Sequence, residues 1–150
     1  MIFVDSDVFV IDLRYPRDPR FRINAEFLAR VKAGDRAVTS LVNLLEVCGI
    51  LSFNLNPQQV RELFHYLPRR YGIRVVPRPE RAAAVAPFPP REVLDVMVRR
   101  ASFGDALIIC ALNKLRLPVS HLVSWNARHF APHLSIPALT PAEVLEQSLL

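Results

Sequence analysis

Short apolar stretches alternate with longer amphipathic ones along almost the whole chain. The short stretches are typical of strands buried on both faces, and the longer ones have the spacing of helices. Predicted strands cover residues 1–4, 36–39, 73–76, 121–124 and a fifth near 134–136. Predicted helices cover residues 7–13, 21–33, 41–51, 57–71, 91–101, 105–115 and a last one from Pro141. This alternation predicts an α/β fold with a parallel sheet covered on both faces.

The only proline-rich segment is PRPERAAAVAPFPP at 77–90, which we interpret as an ordered connector rather than a domain boundary. A length of 150 residues, of which 51% are hydrophobic, predicts a single domain spanning 1–150 with a sizeable core. No apolar run approaches the roughly 20 residues that cross a bilayer, so we expect no membrane segment.

Composition adds two further expectations. Cys48 and Cys110 lie in apolar stretches without metal-ligand spacing, and are interpreted as buried thiols in a reducing cytoplasm. The net charge of +5 favours an anionic partner only weakly, because many basic proteins bind no nucleic acid.

Polar side chains follow two of the predicted strands. Asp5 comes directly after the first strand, and the segment SWN at 124–126 follows the fourth. Ligands collect at the carboxyl ends of parallel strands, so both segments are candidates for a site. The alternative is structural: Asp5, Ser6 and Asp7 cap the first helix, and Asn126 caps a turn.

Two further acids lie in strongly apolar helices. Glu46 stands in LVNLLEVCGIL, where a glutamate is rarely buried unless it is paired or ligating. An internal ion pair with an arginine is the alternative. Asp105 stands in SFGDALIICAL, where Ser102 and Asp105 also have the spacing of a helix capping box.

The mutual repulsion of three carboxylates at one site has to be compensated. At about 5 Å and an effective dielectric constant near 20, each pair repels by roughly 3 kcal/mol. Either the pKa values rise or a divalent cation holds the acids together. Oxygen ligands suit Mg²⁺ or Mn²⁺, which bind phosphate oxygens and activate water for phosphoryl transfer.

These residues together resemble those of a known family, the PIN-domain ribonucleases, and within it the VapC-like toxins of type II toxin–antitoxin pairs. The resemblance covers nearly the whole chain. It rests on four pieces in this order: the apolar strand ending in Asp5-Ser6, Thr39-Ser40 leading to Glu46, Asp105 in GDALIICAL, and LVSWNARHF.

The resemblance implies a three-layer α/β/α sandwich, a homodimer, and Mg²⁺- or Mn²⁺-dependent cleavage of RNA. It also implies a cognate antitoxin that neutralises the protein. Carried over by position, Asp5, Glu46 and Asp105 are the metal-binding acids and act in catalysis together with Asn126. Asn126 stands where many members carry a fourth acid, which puts a second metal in doubt. Asp7 stands where members are often neutral.

Two other functions stay open at this stage. Asp5-Ser6-Asp7 is also similar to the nucleophile motif of haloacid-dehalogenase-like phosphatases, but Phe9 stands where that motif has threonine or valine. No aspartate follows Asp105, so the second acidic pair of those enzymes is missing. A catalytically silent PIN-fold binding module is the other alternative. Asn126 favours it, and the intact acid set opposes it.

Overall fold

A single parallel sheet of five short strands organises the chain, as seen in a computed structural model that describes residues 1–82 and 84–149. The strand order is β3-β2-β1-β4-β5. The strands are β1 (Ile2–Val4), β2 (Ala37–Ser40), β3 (Arg74–Val76), β4 (His121–Val123) and β5 (Ala138–Leu139). Every paired neighbour runs parallel, which confirms the predicted parallel sheet.

Eight helices surround the sheet in the described part of the chain. They are α1 (Ser6–Arg14), α2 (Phe21–Gly34), α3 (Leu41–Ser52), α4 (Pro57–Tyr71), α5 (Pro90–Met97), α6 (Phe103–Asn113), α7 (Ala127–Phe130) and α8 (Pro141–Glu146). Asn56 and Thr140 each close a capping box at the start of α4 and α8. The local cap chemistry therefore sets these two helix starts as expected.

The central strand shows why both faces of the sheet are covered. Ile2 and Val4 pack into one apolar cluster, whereas Phe3 between them packs into a second cluster on the opposite face. Helices α1, α2, α4 and α8 contribute to the first cluster, α5, α6 and α7 contribute to the second, and α3 contributes to both. The α/β/α sandwich is thereby confirmed. Cys48 and Cys110 are free and buried within it, as expected.

Three predicted elements need correction. The fifth strand was expected near 134–136, but β5 begins at Ala138 because the carbonyl of Pro137 accepts from the Leu122 amide and starts the pairing there. Helix α5 ends at Met97 rather than 101, since tight turns follow and Arg100 adopts a φ of 70°. Helix α6 begins two residues earlier than expected, at Phe103, because Ser102 caps it.

No helix within residues 1–82 and 84–149 combines the length and the apolar character needed to cross a bilayer.

Candidate active site

The topology of the sheet defines a crevice beside β1. The chain passes from β1 outward through β2 and β3 on one side, and then returns to build β4 and β5 on the other. The carboxyl ends of β1 and β4 therefore form the switch point where α/β proteins bind ligands. Asp5 follows β1 and Ser124 follows β4, so both lie at this point.

Asp5 is fixed at the crevice by three hydrogen bonds. Its Oδ1 accepts from the Ser6 amide at 2.7 Å and from Asn43 Nδ2 at 2.9 Å. Its Oδ2 accepts from Ser124 Oγ at 2.8 Å. The side chain is only 5% exposed, and it also caps α1. The structural and the functional interpretation of Asp5 are therefore compatible.

Helix α3 brings Glu46 to the same place. Asn43 and Glu46 are three residues apart and so share one helix face. The Ser6 hydroxyl donates a short hydrogen bond to Glu46 Oε2, and Asn43 Nδ2 donates to Ser6 Oγ at 2.9 Å. Ser6 thus links the two acids. The alternative interpretation, an ion pair of Glu46 with an arginine, does not occur among the described residues.

Helix α6 approaches from the other side. A Cβ built on Gly104 would lie 3.2 Å from Glu46 Oε1, a tight contact that would require the Glu46 side chain to shift by a few tenths of an ångström. Asp105 is next in sequence and half-buried. Ser102 Oγ caps its amide at 3.1 Å, but within the described chain its carboxylate accepts no hydrogen bond in return. The capping box is therefore only half formed, and the Asp105 carboxylate is not committed to it.

Asn126 contacts Asp7 at the edge of the cluster. It is exposed, and its Nδ2 and its backbone amide donate to Asp7 Oδ2 at 3.3 Å and 3.1 Å. Ser124 Oγ also lies 3.0 Å from Asp7 Oδ2, while Asp7 Oδ1 is buried without a partner in the described structure. Asp7 is thus a central member of the cluster, although the sequence placed it outside the main set.

The pKa values of Asp5 and Asp7 show that their charged forms are destabilised in the cluster. Burial raises the pKa of Asp5 well above its usual value, and the charges of Asp7 and Glu46 raise it further, against the hydrogen bonds from Ser124 and Ser6. Burial also raises the pKa of Asp7, against hydrogen bonds from Trp125, Ser124 and Asn126. The direction at Asp5 agrees with the repulsion expected of converging carboxylates.

The cluster offers oxygen donors, the kind of ligand that hard divalent cations prefer. Asp5, Asp7 and Glu46 supply carboxylate oxygens, and none of them forms an ion pair within the described residues. Buried negative charge without a counter-charge is costly, and a cation would relieve it. In the described part of the chain, no three acidic, histidine or cysteine side chains already stand in a metal-ligand arrangement. The ligand set of Asp5, Glu46 and Asp105 stays a prediction.

Sequence reasoning missed one residue of the site. Asn43 is fully buried, and its amide joins Asp5, Ser6 and Ser40. Its signal was present in the sequence, since it is a polar residue in the same apolar helix as Glu46 and one turn before it.

The chain matches no family model and no curated protein sequence. Its structure is similar to a chain in the solved structure of FitAB bound to an IR36 DNA fragment. The TM-score is 0.56 at 15% sequence identity, over 94% of this chain and 95% of the other. At this identity the likeness shows the fold, which is a PIN-like α/β/α sandwich.

Proposed function

We propose that this protein is a metal-dependent endoribonuclease whose site is the carboxylate cluster at the switch point. The observation that carries the proposal is the convergence of Asp5, Asp7 and Glu46, none of which forms an ion pair in the described structure. Such a cluster has little structural value, because like charges in a buried place destabilise the fold.

In the proposed site Asp5, Glu46 and Asp105 hold Mg²⁺ or Mn²⁺. The cation would neutralise charge on a phosphodiester and activate a water molecule. The chain itself contributes orientation. Ser6 and Asn43 hold the Asp5 and Glu46 oxygens in place through the hydrogen bonds described above, so the ligands do not need to reorganise.

Asn126 contributes differently from the other proposed catalytic residues. Through its hydrogen bonds it fixes Asp7, and an amide adds no charge of its own. We propose that Asp7 supplies the fourth negative charge that the asparagine lacks.

A basic and an aromatic side chain from two separate loops, Arg20 and Trp125, flank the cluster. Arg20 is close enough to Asp7 for their charges to interact, and its guanidinium lies 5.6 Å from the centre of the Trp125 ring. Asp18 holds the same guanidinium at 2.8 Å. We propose that Arg20 contacts a substrate phosphate next to the cut bond.

The proposed biological setting is that of a toxin. FitAB, with which the chain shares its fold, is a PIN-domain toxin–antitoxin complex that was solved on DNA. We propose by this likeness that the chain acts in the cytoplasm as a homodimer and is neutralised by a cognate antitoxin protein.

The test is cleavage of a labelled RNA by the purified protein. We expect cleavage with MnCl₂ or MgCl₂ and none when EDTA exceeds the metal, since the proposed mechanism assigns activation of the water to the cation. Equal cleavage in excess EDTA would exclude a metal-dependent nuclease. Absence of cleavage of any RNA tested with metal would favour the silent binding module.

A further inference from the structure

The ends of α2 and α4 carry a second charged surface away from the acid cluster. We call it the α2–α4 basic face and define it by Lys32, Tyr66, Arg69, Arg70 and Arg74. Two adjoining grooves make up this face, and Arg69 lines both of them. Among the described residues, Lys32, Arg69 and Arg74 form no ion pair.

The acids near this face are few and partly engaged. Asp12 lines one groove, where its Oδ2 accepts from Tyr71 at 2.6 Å and lies 3.3 Å from Arg70. Glu80 lines the other groove together with Arg78. Positive charge therefore exceeds negative charge across the face, which suits an anionic partner.

Arg70 and Tyr66 give the face a feature beyond charge. Tyr66 is 50% exposed, and the Arg70 guanidinium lies 5.9 Å from its ring centre and donates to its hydroxyl at 3.1 Å. Arg70 is further held by Asp12. An exposed aromatic ring beside a fixed guanidinium and cations without ion pairs is the combination that binds unpaired bases and phosphates together.

Helix α1 connects the α2–α4 basic face to the acid cluster. Helix α1 begins at Ser6 in the cluster, and Asp12 near its other end contacts Arg70 of α4. At 1.5 Å per residue, this part of α1 spans roughly 10 Å. One extended strand of nucleic acid is long enough to contact both places.

We propose that the α2–α4 basic face binds a single-stranded segment of RNA beyond the point of cleavage. The proposal rests on the ribonuclease function proposed above for the choice of RNA. Lys32, Arg69 and Arg74 contact phosphates, and Tyr66 stacks on a base. The face then selects substrates with an unpaired stretch next to the cut site, and double-stranded RNA binds it less well.

The test is fluorescence anisotropy of a labelled single-stranded RNA of about 12 nucleotides, measured in EDTA so that no cleavage occurs. The variant is Lys32→Gln/Arg69→Gln/Arg74→Gln. Each phosphate contact on single strands contributes a salt slope near −0.7, or about fivefold affinity in 0.1 M salt. We therefore expect roughly 100-fold weaker binding, and a slope of log K against log salt that is flatter by about 2.

The matched control is Arg91→Gln/Arg99→Gln/Arg116→Gln. These arginines are also exposed, lie on or next to α5 and α6, and change the net charge equally. The control should bind within about twofold of wild type, and Tyr66→Leu should bind at least about fivefold more weakly. All substituted side chains are exposed, so unchanged melting temperatures are expected and are checked for each variant.

An equal loss of RNA affinity in the face variant and the control would overturn the proposal, because net charge alone would then explain binding. Unchanged binding by the face variant, or binding to anionic phospholipid vesicles but not to RNA, would overturn it as well. A different result would contradict the proposed ribonuclease function. If wild type binds RNA through this face but never cleaves it with Mn²⁺, only the ribonuclease function is contradicted. If wild type cleaves RNA, and the face variant binds and cleaves RNA as well as wild type does, only the proposal for the α2–α4 basic face is contradicted.

Discussion

Asp105→Asn is expected to reduce metal-dependent RNA cleavage roughly 100-fold or more, in line with the cost of removing one electrostatic contact from a catalytic site. The substitution keeps the shape of the side chain and removes its charge, at the residue that follows Gly104, which packs against Glu46. Ser102 Oγ caps the Asp105 amide without help from the carboxylate, so the melting temperature should not fall. Cleavage rate and thermal melting of the same preparation are the measurements.

Asp95→Asn is the matched control, because it removes the same charge from an exposed position on the neighbouring helix α5. It should cleave like wild type. If Asp105 serves only the helix end, Asp105→Asn instead costs about 0.5–1 kcal/mol of stability and leaves cleavage intact. A destabilised but active variant would therefore remove Asp105 from the site.

Asp5→Asn is expected to raise the melting temperature at pH 8 in the absence of metal. Relief of like-charge repulsion worth about 1–3 kcal/mol corresponds to roughly 3–9 °C in a chain of this size. The hydrogen bonds can be kept: the amide oxygen accepts from Ser6 and Asn43, and the amide nitrogen donates to Ser124. Ser124 Oγ still donates to Asp7 Oδ2.

The raised pKa of Asp5 determines how the effect of Asp5→Asn on the melting temperature changes with pH. The folded pKa of Asp5 is raised, chiefly by burial, so wild type is most stable where Asp5 is protonated and loses stability as pH rises through the folded pKa. The advantage of Asp5→Asn should therefore shrink as the pH falls, and vanish below the ordinary value of 3.8. Melting curves of both proteins from pH 8 to pH 4 measure the difference. A variant less stable than wild type at pH 8 would contradict the like-charge repulsion assigned to Asp5.

The fold was predictable where a single local pattern decides the structure. The run IFV followed by Asp5 predicts both the central strand and the acid at its end, because burial on both faces leaves little choice of residue. Glu46 was predictable for a related reason, since an acid in an apolar helix needs a partner. The short β5 was not predictable from apolar residues, because the pairing of Pro137 with Leu122 decides where it starts.

The connections within the site were harder to predict. Asp7 and Asn126 are separated by 119 positions, and their contact depends on how the chain turns between β4 and α7. The family resemblance placed Asn126 with the catalytic acids, and its side chain contacts Asp7. No sequence pattern distinguishes Asp7 from an ordinary acidic residue in the first turn of a helix, where aspartate is common.

The most direct test of the proposed site is single-turnover cleavage of one labelled RNA across a series of Mn²⁺ concentrations. Glu46→Gln is compared with Glu62→Gln, which makes the same change at an exposed position of α4. We predict that Glu62→Gln follows wild type, and that Glu46→Gln at saturating Mn²⁺ stays at the rate of wild type in EDTA. Wild-type cleavage by Glu46→Gln, at any Mn²⁺ concentration, would contradict a nuclease site built on these acids.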